Sequence, residues 1–85
     1  MNNDQLDLTI KFITGLSFHL TFSKYEDIET GVKQKIAEKI GIKAHEVRLI
    51  YEGKCVYGDE MPRVLDDYNV KSGRILHVVL RLKGA

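Results

Sequence analysis

The chain has 85 residues, 44% hydrophobic and 29% charged, with 13 Lys and Arg against 12 Asp and Glu for a net charge of +1. That length gives one domain with a modest core, burying roughly 60–65% of the surface its unfolded chain would expose. The near-neutral charge argues against a nucleic-acid binder, which carries a marked basic excess.

From Leu6 the residues alternate, with Leu6, Leu8, Ile10 and Phe12 apolar and Asp7, Thr9 and Lys11 between them, the pattern of a half-buried strand. Residues 1–5 read as a flexible lead-in, ahead of a folded domain over 6–82 and an extended tail over 83–85. Thr14-Gly15 breaks the alternation, which resumes with Phe18, Leu20 and Phe22. Two such runs around a short glycine-containing break predict a β-hairpin. The period then changes. Ile28, Val32, Ile36 and Ile40 recur every four residues with Lys33, Lys35, Glu38 and Lys39 between them, which predicts an amphipathic helix over roughly 28–40. Asp27 or Thr30 is placed to cap its start; Gly31 weakens its first turn, and Gly41 stands where a left-handed closing residue is common.

Val47–Tyr51 is a third strand, Glu52-Gly53 a turn and Lys54–Val56 a short fourth strand. Residues 57–65 carry the breakers Gly58, Asp59 and Pro62 and read as a loop. Leu65–Tyr68 suits a helical turn, and Ile75–Leu82 is a last strand rich in branched apolar residues. The order is ββαββ: a mixed sheet in an α+β fold, with the single amphipathic helix packed across one face.

Alternation also assigns faces. Leu49 must face the helix to build a core, so Ile50 is expected to point to solvent beside Arg48. In the last strand Leu76, Val78 and Leu80 share one face, and His77, Val79 and Arg81 the other. Ile13 falls outward at the edge of the hairpin turn. Ile13, Ile50 and Val79, with His77, are thus expected on the face away from the helix, rimmed by Arg48, Lys54 and Arg81. An exposed apolar cluster with a charged rim is the pattern of a protein-binding surface.

Little else points to chemistry. Cys55 is the only cysteine and excludes an internal disulfide. It has no histidine or acid at a spacing that would make it a nucleophile. His19, His45 and His77 do not combine with it at metal-ligand spacing, Asp66-Asp67 suits a solvated turn, and no glycine-rich loop is built to cradle phosphate. The longest apolar runs are too short to span a bilayer, and Met1-Asn2-Asn3-Asp4 is unlike a secretory leader. The expectation is a monomeric protein of the cytoplasm or nucleus whose partners are proteins, not an enzyme, with no cofactor, metal, nucleic acid or membrane.

Three segments carry a resemblance: Arg48-Leu49-Ile50-Tyr51-Glu52-Gly53-Lys54, Asp67-Tyr68-Asn69-Val70 and Leu76-His77-Val78-Val79-Leu80-Arg81-Leu82-Lys83-Gly84. They are similar to ubiquitin-family sequences, as are Thr14-Gly15, the helical Val32-Lys33 with Ile36, and Gly41-Ile42. The resemblance covers roughly residues 8–85 and implies the ubiquitin-like β-grasp fold. It implies that Ile50 is the centre of a docking patch, with Ile13, His77, Val79 and Gly53 as further members, and that Ile42, Leu80 and Leu82 form a second apolar patch. It implies that Lys11, Lys33, Lys35, Lys39 and Lys54 match chain-forming lysines. Arg81 matches the arginine by which activating enzymes tell ubiquitin from its closest modifier relative. The partners so implied are activating and conjugating enzymes, ubiquitin receptors and the proteasome.

The chain also departs from that pattern. Leu16 and Ser72 stand where the family has chain-forming lysines. At least one extra residue lies before the helix, and about three lie between Lys54 and Leu65. The chain closes on Gly84-Ala85 where ubiquitin has two glycines. The tail must thread narrow channels, and a Cβ removes much of the backbone freedom that glycine has, so with Ala85 as the mature end activation and later cleavage are expected to be slowed. Two readings follow: a modifier joined to other proteins through its tail by an isopeptide bond, or a non-conjugated interaction domain, standing alone or within a longer protein.

Overall fold

The computed structural model describes residues 4–56 and 64–81. The first hairpin forms where the alternation placed it. Strand β1 (Gln5–Phe12) pairs antiparallel with β2 (Ser17–Ser23), matching Leu6 with Phe22, Leu8 with Leu20 and Ile10 with Phe18. All the apolar partners therefore lie on one face. The strand starts at Gln5, inside the expected lead-in. Gln5 pairs with Ser23, and the Lys24 backbone N–H donates to the Asp4 carbonyl at 2.7 Å, carrying the ladder one residue further back.

The helix runs over the predicted span but not as one regular α-helix. Ile28–Val32 is a π-helical turn that leads into α1 (Lys33–Ile40). Asp27 caps it: its carboxylate accepts from the Thr30 N–H at 2.8 Å, and its carbonyl accepts from Gly31 and Val32 N–H, both at 2.9 Å. Gly31 also has a packing role. A Cβ there would lie 2.4 Å from Glu26 Oε2 and 2.6 Å from its Cγ, so the missing side chain makes room for Glu26 to fold over the turn. Gly41 closes α1 at φ 79°, its N–H donating to the Ala37 carbonyl at 2.8 Å.

A short 3-10 turn (Ala44–Glu46) leads into β3 (Val47–Tyr51), which turns back through Glu52 and Gly53, both at positive φ, into β4 (Lys54–Val56). A two-residue hairpin turn needs that handedness to match the strand twist. Leu65–Tyr68 forms the expected helical turn and β5 spans Ile75–Leu80; Leu82, where the sequence ended this strand, lies outside the described residues. The sheet order is β2-β1-β5-β3-β4. Strand β5 runs parallel to β1 and antiparallel to β3, so the last strand in the chain is the central one in the sheet. The mixed sheet and single helix are those of the ubiquitin-like β-grasp fold.

Ile28, Val32 and Ile36 from the helix are fully buried in one cluster with Leu8, Ile10, Leu49, Leu65, Leu76 and Val78. No helix among the described residues is long and apolar enough to cross a membrane.

Candidate functional site

The face of the sheet turned from the helix is built by strand register. Strand β3 buries Val47, Leu49 and Tyr51 and turns Arg48 and Ile50 outward; β5 buries Leu76 and Val78 and turns Ile75, His77 and Val79 outward. Arg48 pairs with Val79, and Ile50 lies between His77 on one side and Cys55 on the other. On the far side of β5, Lys11 pairs with His77. A row Lys11–His77–Ile50–Cys55 thus crosses four strands, with Val79 diagonal to Ile50 one step along. Directly opposite residues sit about 5 Å apart and diagonal ones about 7–8 Å, within reach of one partner side chain.

Burial along this face is uneven. Ile13 is 88% exposed at the start of the β1–β2 turn, next to Phe12, whose partner Val78 precedes Val79. His77, Arg48 and Gly53 are exposed, but Ile50 and Val79 are half-buried. Both residues sit on inner strands, β3 between β5 and β4 and β5 between β1 and β3.

The second expected patch is less clearly formed. Ile42 and Leu80 are half-buried and pack against the edge of the core. Leu80 pairs with Val47 on the helix side of the sheet. Leu82, with Gly84 and Ala85 of the tail, lies outside the described residues. Arg81 is exposed, and its backbone N–H donates to the Glu46 carbonyl at 2.7 Å.

The matched lysines differ in their surroundings. Lys11 projects from the open face and Lys54 from β4, both exposed. Lys35 Nζ lies 3.8 Å from Glu26 Oε1 and 5.2 Å from the centroid of the Phe22 ring; Lys39 Nζ lies 5.9 Å from that of Phe18. Lys33 is the most enclosed: its side chain is 14% exposed and its ammonium pairs with the Glu29 carboxylate one turn earlier.

One residue of the open face escaped the reading of the sequence. Ile75 is 42% exposed and opposite Thr9 in β1, in phase with His77 and Val79. Its odd position in an alternating strand was the available signal.

Comparison with known proteins agrees with the fold. A model of the ubiquitin family matches residues 8–83. The chain is 32% identical over 77 residues to "Ubiquitin-like protein NEDD8" of Dictyostelium discoideum, covering 91% of this chain and 95% of that one. It is 31% identical to "Ubiquitin-like protein 1" of Schizosaccharomyces pombe over 91% of this chain and 94% of that one. It is 30% identical to "NEDD8-like protein RUB3" of Arabidopsis thaliana over 93% and 96%.

Proposed function

The chain belongs to the ubiquitin family, and from that premise we propose that it is a protein modifier, read through the face around Ile50 and joined to targets through its tail rather than acting as an enzyme. The observation that carries this reading is the open row in which Ile50 stands between His77 and Cys55 with Val79 diagonal to it, an apolar centre with Lys11 and Arg48 beside it. Coverage of nearly the whole length of NEDD8-named relatives supports a modifier in particular.

In the attachment step the terminal carboxylate attacks the α-phosphate of ATP. Pyrophosphate leaves and an acyl-adenylate forms; an enzyme thiolate then displaces AMP to give a thioester, and a target lysine displaces the thiolate to give an isopeptide bond. Arg81 selects the activating enzyme that serves ubiquitin over the one that serves its closest modifier relative. The receptors are those of the ubiquitin pathway, the proteasome among them, and the setting is the cytoplasm or nucleus.

Two measurements test the two halves. Incubation with ubiquitin's activating enzyme and ATP is expected to give a thioester adduct; its absence removes the conjugation half. A receptor helix titrated against the isotopically labelled chain is expected to shift Ile50, His77 and Val79, with an affinity near the micromolar range that about −8 kcal/mol represents. Ile50→Ala is expected to weaken that binding by about tenfold, or about 1.4 kcal/mol, while leaving the spectrum folded. Docking without a thioester would identify a non-conjugated interaction domain.

A further inference from the structure

Ile75 gives the open face a length that its centre alone does not have. Resting on the docking role assigned to that face, we propose that Ile75 is a specificity-determining contact and that the face selects an amphipathic helix carrying an additional apolar residue one turn beyond the pair that covers Ile50 and Val79.

Strand β5 has a neighbour on each side, β1 and β3, so no backbone edge is free along it. A partner meets its side chains only, which excludes the added-strand mode of peptide binding. Along β5 the outward positions are Ile75, His77 and Val79, and a two-residue strand step is about 6.6 Å. Residues i, i+4 and i+8 share one face of a helix and rise about 6 Å per step. Such a helix laid along β5 sets its three apolar positions over Ile75, over His77 with Ile50 beside it, and over Val79. The Ile75 end is concave: Glu52, Gly73, Arg74, Ile75 and His77 line a depression of about 270 Å³.

Charge sets the flanks of the partner. Arg48 lies opposite Val79 at one end, Lys11 opposite His77 at the middle, and Arg74 precedes Ile75 at the other end. At that end Arg74 and Glu52 offset one another, Nη1 lying 3.9 Å from the carboxylate, and Asp7 is a further exposed acid beyond Thr9 on β1. The cationic surplus lies at Lys11 on the β1 side and Arg48 on the β3 side, so the matching helix carries acids on both sides of its apolar stripe.

The test uses the full chain and three synthetic alanine-rich peptides with glutamates on both sides of the apolar stripe. One has leucine at i, i+4 and i+8; the second has alanine in place of the leucine that faces Ile75; the third keeps the leucines but has a central proline to prevent the helix. The chain is expected to bind the first peptide about fivefold more tightly than the second, a difference of about 1 kcal/mol. Ile75→Thr, which keeps the β-branch and lies on the exposed face, removes that difference, and Ile75→Val retains it.

Equal binding of the first two peptides, or an unchanged preference in Ile75→Thr, overturns the inference while leaving the docking reading intact if Ile50→Ala still weakens both. Equal binding of the proline peptide overturns the helical partner, and no binding of the first peptide overturns the inference as a whole. The receptor-helix titration tests the docking reading separately.

Discussion

At the scale of single residues, what separates the matched lysines is access. Attack on a thioester needs an amine that is free to approach. Lys54 and Lys11 stand exposed, whereas Lys33 is 14% exposed and held against Glu29. Opening a pair of that kind costs about 1 kcal/mol at the upper end of the usual range, a slowing of roughly fivefold before steric hindrance is counted. Brief treatment with an amine-reactive ester, followed by peptide mass mapping, is therefore expected to modify Lys54 and Lys11 at least fivefold faster than Lys33. Glu29→Gln should raise the Lys33 rate. Equal rates in the unaltered chain would show that the pairing does not protect this amine.

At the scale of elements, strands are legible because alternation is a property of neighbouring residues. Val47–Tyr51 and Lys54–Val56 fall where the sequence placed them, and the outward phase of Ile50 and Val79 follows from the inward phase of Leu49 and Val78. How deeply those tips sit depends on the flanking strands, which are distant in sequence, and so the half-burial of Ile50 and Val79 was not readable. The helix hides a subtler cue. In a 3.6-residue helix a strict four-residue spacing drifts by about 40° per step, which would carry Ile28 away from Ile36. The wider turn over Ile28–Val32 offsets part of that drift, and Ile28, Val32 and Ile36 are all fully buried. Because Asp27 holds that turn through its carboxylate and its carbonyl, Asp27→Ala is expected to cost about 1 kcal/mol in chemical denaturation. An unchanged midpoint would mean that the core alone sets the turn.

At the scale of the whole molecule, the outward row proposed for docking and the closure of the core depend on one strand. Strand β5 is last in the chain yet central in the sheet, and its residues alternate between Leu76 and Val78, at 0% and 1% exposure, and the outward Ile75, His77 and Val79. The long-range ladders to β1 and β3 cannot form until it is present, and their loop-closure entropy must be met before those contacts contribute. A chain ending at Gly73 loses both ladders and the centre of the core, and is expected to be unfolded, with collapsed amide dispersion in its NMR spectrum. Within the complete chain the two faces of β5 are separable. Leu76→Ala should cost about 3 kcal/mol, each kcal/mol lowering Tm by about 4–8 °C in a domain of this size. Ile75→Thr should leave Tm nearly unchanged while altering which helix is bound. If Ile75→Thr melted as low as Leu76→Ala, the outward row would be part of the core, and the same strand could not serve folding on one face and recognition on the other.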